Sequence, residues 1–184
     1  IDADVGNIYI DPEDSIVAEF RKKELSLKQI LSNKELLSSP TQTMDGERIT
    51  LLANINLLSD VFAACQSCSD GIGLYRTEFP FLIRKAFPSE EEQFAIYSKL
   101  IAGMPDKVIT FRTLDAGGDK LLSYCSVKES NPFLGFRSIR FSLEHPDVFK
   151  QQVRAILRAG CNAHIRIMFP MISSIDEFRA ARRL

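Results

Sequence analysis

The sequence has no tryptophan and only 2 histidines, so chemistry built on an imidazole cluster or a tryptophan platform has little to draw on. It also lacks a surplus of charge. Lys+Arg 23 stand against Asp+Glu 24, a formal charge of −1, which supplies no general attraction to nucleic acid or to an anionic membrane. An anion-binding site must therefore be assembled locally. No apolar run approaches the ~20 residues that span a bilayer, and the opening IDADVGNIYI lacks the basic-then-apolar pattern of a signal peptide. It begins mid-pattern without Met, and a piece of a longer polypeptide is expected. The 4 cysteines make no disulfide framework in a chain of this size. Cys65 and Cys68 form the one C-x-x-C, with no second ligand pair at zinc spacing, and reduced helix thiols fit a cytoplasmic setting.

What is present is a soluble globular composition, 45% apolar and 26% charged over 184 residues, enough for one domain and an attached linker. Residues 1–10 alternate sufficiently to be the final strand of something upstream. Asp11 as cap, Pro12 at the first helical position and Asp14 in the first turn open a long amphipathic linker helix over 11–40. Its apolar stripe is Ile16, Phe20, Leu27 and Ile30/Leu31, its solvated face Arg21-Lys22-Lys23, and it runs to about Leu37 before Ser39-Pro40 stops it.

From residue 41 the grammar changes. A hairpin turned at Asp45-Gly46 leads into an apolar strand over 49–55. A helix over 59–68, a strand GIGLY (71–75), a helix opened by the capping box Ser89-x-x-Glu92, and a strand VITF (108–111) follow. Pro146 opens another helix, striped with Val148, Phe149, Val153, Ile156 and Leu157 and stopped by Gly160. The strand IRIMF (165–169) precedes a second capping box, Ser174-x-x-Glu177. Strand and helix alternating four times predict parallel strands in crossover units. An open doubly wound sheet and half of an eightfold barrel both satisfy this. Two features favour the barrel: no Gly-rich fingerprint opens the first helix, and polar residues recur at the C-terminal ends of the strands. The expectation is an α/β fold, a partial (β/α)8 TIM-type barrel of about four βα units over 41–184, preceded by the linker helix and a hairpin.

In such a barrel the reactive groups gather at the C-terminal strand ends. These ends read Ala53-Asn54, Arg76-Thr77-Glu78, Arg112-Thr113-Leu114-Asp115 and Phe169-Pro170-Met171. Two neighbouring strands finish in Arg-Thr, and a guanidinium donates paired hydrogen bonds that suit phosphate and carboxylate oxygens. With strands ~4.8 Å apart, Arg76 and Arg112 are placed to grip one group. The alternative is that each pairs with a local acid, Glu78 or Asp115. In DAGGDK, Gly117-Gly118 lets backbone approach an anion and Lys120 adds a charge, though a tight turn explains the glycines equally well. In NPFLGFRSIR, Asn131-Pro132 makes a turn and Gly135 permits packing that turns Arg137 inward, with Arg140 as an alternative surface residue.

GIGLYRTEF, FPSEEEQ, FRTLDAGGDK, NPFLGFRSIR and RIMFPMIS, in this order and spacing, resemble the phosphoenolpyruvate-binding barrel of the phosphoenolpyruvate–protein phosphotransferases, the enzyme I family of the bacterial phosphotransferase system. The likeness runs from about residue 1 to the end, and the stretch RTEFPFLIRKAFPSEEEQ is closer to the nitrogen-related branch than to the sugar-transport one. The resemblance implies that Arg76 and Arg112 bind phosphoenolpyruvate and that Arg137 is a further active-site arginine. Asn54, Asp115, Gly117, Gly118 and Lys120 then belong to a substrate loop. It also implies a transferase of the kinase type: Mg²⁺ assists, a swivelling domain presents a histidine, the phosphoryl group moves to it, and a small histidine phosphocarrier protein receives it next. A cytoplasmic homodimer, or other homo-oligomer, is the corresponding assembly.

The departures from the family pattern are specific. The family's acceptor histidine lies in a Gly-rich Ser-His motif, whereas His145 precedes Pro146 and His164 precedes a strand. The Mg²⁺ ligands and the proton-donating cysteine of the family are expected beyond residue 184, and Cys125 and Cys161 lack that cysteine's context. The segment by itself is thus expected to be inactive, carrying part of the substrate site and no metal ligands. Competing expectations are a barrel of the phosphoenolpyruvate synthase or pyruvate phosphate dikinase type, a non-catalytic assembly module associating through sheet edges, and an unrelated barrel lyase or aldolase, for which Lys120 is the one Schiff-base candidate.

Overall fold

The computed structural model describes residues 6–32, 39–117 and 136–184. The chain divides into two compact units, Ile1–Pro40 and Thr41–Leu184.

In the first unit the main element is helix α1, Asp14–Ser32. It starts later than the sequence suggests. Asp11 has φ 47 and neither it nor Pro12 is helical; the first turn instead closes on the Glu13 carbonyl, which accepts from Ile16 N at 3.0 Å and Val17 N at 3.1 Å. Ile16, Val17 and Phe20 are half-buried while Arg21, Lys22 and Lys23 are exposed, as an amphipathic face requires. Residues 6–10 hold a single bridge residue, Asn7, and no strand. Residues 1–5 and 33–38 lie outside the described residues, and with them the expected helix end at Leu37.

The second unit runs β1 (Leu52–Ile55), α2 (Asp60–Gln66), β2 (Gly71–Arg76), α3 (Phe79–Leu82), α4 (Glu90–Ala102), β3 (Val108–Arg112), α5 (Ile139–Glu144), α6 (Pro146–Ala159), β4 (Ile165–Met168) and α7 (Ile175–Arg183). The four strands form one all-parallel sheet in the order β1-β2-β3-β4. A doubly wound sheet reverses its strand order and covers both faces. Here the order never reverses. Val61 and Ala64 of α2, Tyr97 and Leu100 of α4, and Ala155 and Ile156 of α6 share one core with Ile55, Ile72, Tyr75, Ile109 and Phe111, so these helices collect on one face. Both features are consistent with part of an α/β barrel.

Local departures have local causes. The hairpin turn closes from Gly46 N to Thr43 O at 3.0 Å, so Met44 and Asp45 are its central residues and Gly46, at φ 90, follows them. Its arms meet in one bridge, Gln42↔Arg48, and the strand begins at Leu52 rather than at 49. The capping box of α4 is complete: the Ser89 side chain accepts from Glu92 N while the Glu92 carboxylate accepts from Ser89 N. At α7 it is divided. Ser174 Oγ accepts from Glu177 N at 3.2 Å, but the Glu177 carboxylate accepts from Ser173 N at 2.7 Å instead. Gly160 ends α6 at φ −90, without the left-handed turn; a Cβ there would sit 2.4 Å from Ile165 Cδ1, so close packing against β4 is what requires glycine. The short helices α3 and α5 lie in segments with too few residues to show a period.

Candidate functional site

The register between β2 and β3 pairs Arg76 with Arg112 across the parallel ladder. Paired residues in a sheet project to the same side, so the two arginines leave adjacent strand ends on one face. That outcome depends on an irregularity. Ile72 pairs with Ile109 and Tyr75 with Phe111, so β2 spends three steps where β3 spends two. Ile72 and Tyr75 both lie in the helix-facing core. Without the extra residue, strict alternation from Ile72 would bring Arg76 to that same apolar face; the bulge at Gly73–Leu74 turns it to the other. Bulges re-aim side chains in this way. Gly73 also permits the close approach of β1, since a Cβ there would lie 2.8 Å from Leu52 Cβ. Asn54 pairs with Leu74, which places Asn54 one pleat behind Arg76 on the arginine face.

The three sequence-nominated arginines differ in environment. Arg76 is exposed and among the described residues shows no hydrogen bond or ion pair. Arg112 is 14% exposed, ion-paired with Glu78, and holds Nη1 3.6 Å from Asp115 Oδ2. Arg137, 13% exposed, donates from Nη2 to Asp115 Oδ1 at 3.2 Å. The local acid pairing weighed for Arg112 is therefore present, and it coexists with the shared face. Among the described residues, three guanidiniums and two carboxylates meet at these strand ends, with Arg76 the exposed member. Asp115 also accepts from the Ser138 hydroxyl, and Ser138 N donates to Ala116 O at 2.8 Å.

Gly117 explains how Arg137 arrives here. It has φ +112, and a Cβ would lie 2.6 Å from Phe136 O and 2.7 Å from Arg137 Cα. Its bareness admits the chain's own backbone. Arg140 lies outside the cluster: its Nε donates to Glu177 Oε1 at 3.1 Å, tying α5 to the start of α7. Gly118, Lys120, Cys125, Asn131, Pro132 and Gly135 lie outside the described residues.

Behind the arginines lies a buried polar layer that the motif reading did not include. Thr77 Oγ1 donates to Arg112 O at 2.8 Å and accepts from Gln152 Nε2 at 3.0 Å. Gln152 Oε1 accepts from Leu114 N at 2.9 Å. Tyr97 OH donates to Gln93 Oε1, and Gln93 Nε2 to Pro88 O, each at 3.0 Å. Burial pushes the Tyr75 phenol up to about 12, with the Glu78 and Asp60 charges adding to it, and burial likewise raises Tyr97. Both remain neutral near pH 7. A glutamine inside an apolar stripe, as at 149–152–156 and again at 93–97–100, was the available signal, because a buried amide needs partners.

Neither histidine sits among the arginines. His164 O accepts from Ile109 N, at the N-terminal end of the strands, and the His145 ring lies tilted with its centroid 4.4 Å from that of Phe141. Among the described residues, the carboxylates beside the arginines do not fit a Mg²⁺ site. A hard dication asks for several free oxygens, and Glu78 and Asp115 already face guanidiniums. No group of three potential metal ligands occurs among the described residues.

Comparison with known proteins decides the family. The family described as PEP-utilising enzyme, PEP-binding domain, matches residues 31–184. The chain belongs to that family. Over its whole length it is 41% identical to the phosphoenolpyruvate-protein phosphotransferase of Staphylococcus carnosus, covering 32% of that protein, and 40% identical to that of Bacillus subtilis, covering 33%. It is also 41% identical to a Salmonella typhimurium protein named phosphoenolpyruvate-dependent phosphotransferase system, covering 25% of it. The chain thus spans a third or less of the length of these relatives. Within this PEP-binding domain the arginine face at the β2 and β3 ends is the candidate substrate surface. No helix among the described residues is long and apolar enough to cross a membrane.

Proposed function

We propose that the arginine face binds phosphoenolpyruvate, and that the intact protein transfers its phosphoryl group to an enzyme histidine and then to a small histidine phosphocarrier protein. The observation that carries this reading is the pairing of Arg76 with Arg112 on adjacent parallel strands. Phosphoryl transfer asks a protein chiefly for alignment and for neutralisation of charge on the transferring oxygens. Arg112, held by Glu78 and Asp115, is a pre-oriented donor. Arg76 is the exposed positive arm, and Arg137 supplies the third guanidinium. Together they suit a ligand with a phosphate and a carboxylate, and they stabilise the enolate left as the phosphoryl departs.

The parallel sheet with helices on one face is the first half of a (β/α)8 barrel in this proposal, with Asn54, Thr110, Arg112 and Arg166 lining its interior. Mg²⁺, when bound, supplies further charge neutralisation; its carboxylate ligands come from elsewhere in the intact protein, as does the histidine. Residues 11–40 act as the linker to the histidine-bearing domain, and assembly is as a cytoplasmic homo-oligomer.

The test is Arg76→Ala in the intact protein, because the side chain is exposed and makes no hydrogen bond or ion pair among the described residues, and its removal is expected to leave the fold unchanged. Phosphorylation by labelled phosphoenolpyruvate is expected to fall by about a hundredfold or more, the scale of one lost charge-stabilising donor, at unchanged melting temperature. A rate within threefold of the unsubstituted protein would remove the basis of the assignment.

A further inference from the structure

The two arginines leave different strands, so their spacing is set by how firmly the two strand ends are held together. Beyond the last ladder pair, Arg76↔Arg112, the chains diverge: Thr77 and Glu78 lead into α3, while Thr113 and Leu114 lead towards Asp115. One side chain reaches both. Gln152, in the second turn of α6, donates from Nε2 to Thr77 Oγ1 at 3.0 Å and accepts at Oε1 from Leu114 N at 2.9 Å. Thr77 closes the loop by donating to the carbonyl of Arg112 itself at 2.8 Å. The residue after Arg76, the Arg112 carbonyl and the second residue after Arg112 are thereby tied to one amide. Gln152 is 1% exposed and Thr77 fully buried, so water does not substitute for these bonds. The amide in turn is oriented by Tyr97, whose OH accepts from Nε2 at 3.4 Å and donates to Gln93.

An apolar residue of the same volume would fill this space equally well. What an apolar residue cannot do is fix the rotation of the two strand ends, because dispersion contacts are non-directional while an amide holds a donor and an acceptor at set angles. We propose that Gln152 is a positioning residue for anion recognition, setting the separation and aim of Arg76 and Arg112 without touching the ligand. This rests on the anion-binding reading of those arginines.

The experiment is calorimetric titration of phosphoenolpyruvate into the intact protein and its variants, without Mg²⁺ so that phosphoryl transfer does not consume the ligand. Gln152→Met keeps volume and removes all three bonds; affinity is expected to fall tenfold or more. Gln152→Glu keeps an acceptor for Leu114 N and, when protonated, a donor to Thr77. It should recover part of the loss, and more of it as the pH is lowered, each value taken relative to the unsubstituted protein at the same pH. Leu100→Ala, a core truncation in α4 at a residue that makes no side-chain hydrogen bond, should lower stability and leave affinity within twofold. In an Arg76→Ala background Gln152→Met should cost less than threefold, because one of the arms it aims is gone.

A folded Gln152→Met protein with unaltered affinity overturns the proposal, as does an equal loss in Leu100→Ala. If Gln152→Met does not fold, Gln152→Glu and Thr77→Val carry the same test, and unaltered affinity in both overturns it. Failure of the underlying reading is distinguishable. Normal affinity in both Arg76→Ala and Arg112→Ala would overturn anion binding and this inference together, whereas loss in those two with none in Gln152→Met would overturn this inference alone.

Discussion

The ends of β2 and β3 and the end of β4 occupy the same side of one sheet, yet they are built from opposite materials. At β2 and β3 the chain leaves the sheet through Arg, Thr and an acid, with buried hydrogen bonds behind them. At β4 it leaves through Phe169, whose ring lies 5.8 Å from Phe149 and 6.0 Å from Phe178. The first region holds charge, which is costly to bury unless every partner is placed. The second holds α6 and α7 against the sheet, and an aromatic cluster does that with loose angular requirements. On the proposed function, the difference separates a surface that recognises from one that supports.

The largest effect is expected from Arg112→Ala. It removes the pre-oriented donor and strands Glu78, which is 5% exposed, so the intact protein should lose phosphoenolpyruvate binding by more than a hundredfold. It should also lose about 3–5 kcal/mol of stability in denaturant titration, the cost of breaking a buried ion pair. Next in size, Phe149→Ala should cost about 3–5 kcal/mol by the same measurement while leaving phosphoenolpyruvate affinity within twofold; a parallel loss of affinity would show that the two regions are not separable. Gly73→Ala, pressed against Leu52, should cost about 1–3 kcal/mol through overpacking. If it expels the bulge, Arg76 turns to the apolar face and affinity falls out of proportion to stability.

The smallest effect concerns the apolar side's rim. The Ser173 N–H, then its hydroxyl and Arg140, hold the Glu177 carboxyl down at about 2 from an ordinary 4.5. A depressed carboxylate contributes stability above the unfolded value and loses it as pH falls through the folded one. The unsubstituted protein should therefore lose melting temperature between pH 4.5 and about 2, and Glu177→Gln should lose less over that window. The partly exposed site keeps the difference to a few degrees or fewer. An equal decline in both proteins would remove Glu177 from the acid response.

The four strands, the four longer helices of the second unit and the placing of Arg76 and Arg112 at neighbouring strand ends were legible because each rests on a local pattern: strand runs, a capping box at Ser89, Arg-Thr repeated at two strand ends. The start of α1 was misplaced because Asp11-Pro12 is a permissive signal that a tighter turn at Glu13 overrode. The division of the second capping box was invisible because Ser173 and Ser174 are adjacent and offer equivalent groups to Glu177.

What the sequence determined by itself is the supply of charge and its distribution along the chain: two Arg-Thr pairs, two acids beside them, a glycine where backbone must pass. Whether those charges share a face was a tertiary decision. A side-chain period of two makes facing sensitive to one inserted residue, and the insertion at Gly73–Leu74 was settled by how β2 fits between its neighbours. The brace at Gln152 belongs to the same class. Its partners lie 75 and 38 residues away in the chain, and no local pattern registers a bond that exists only after the strands and α6 have packed.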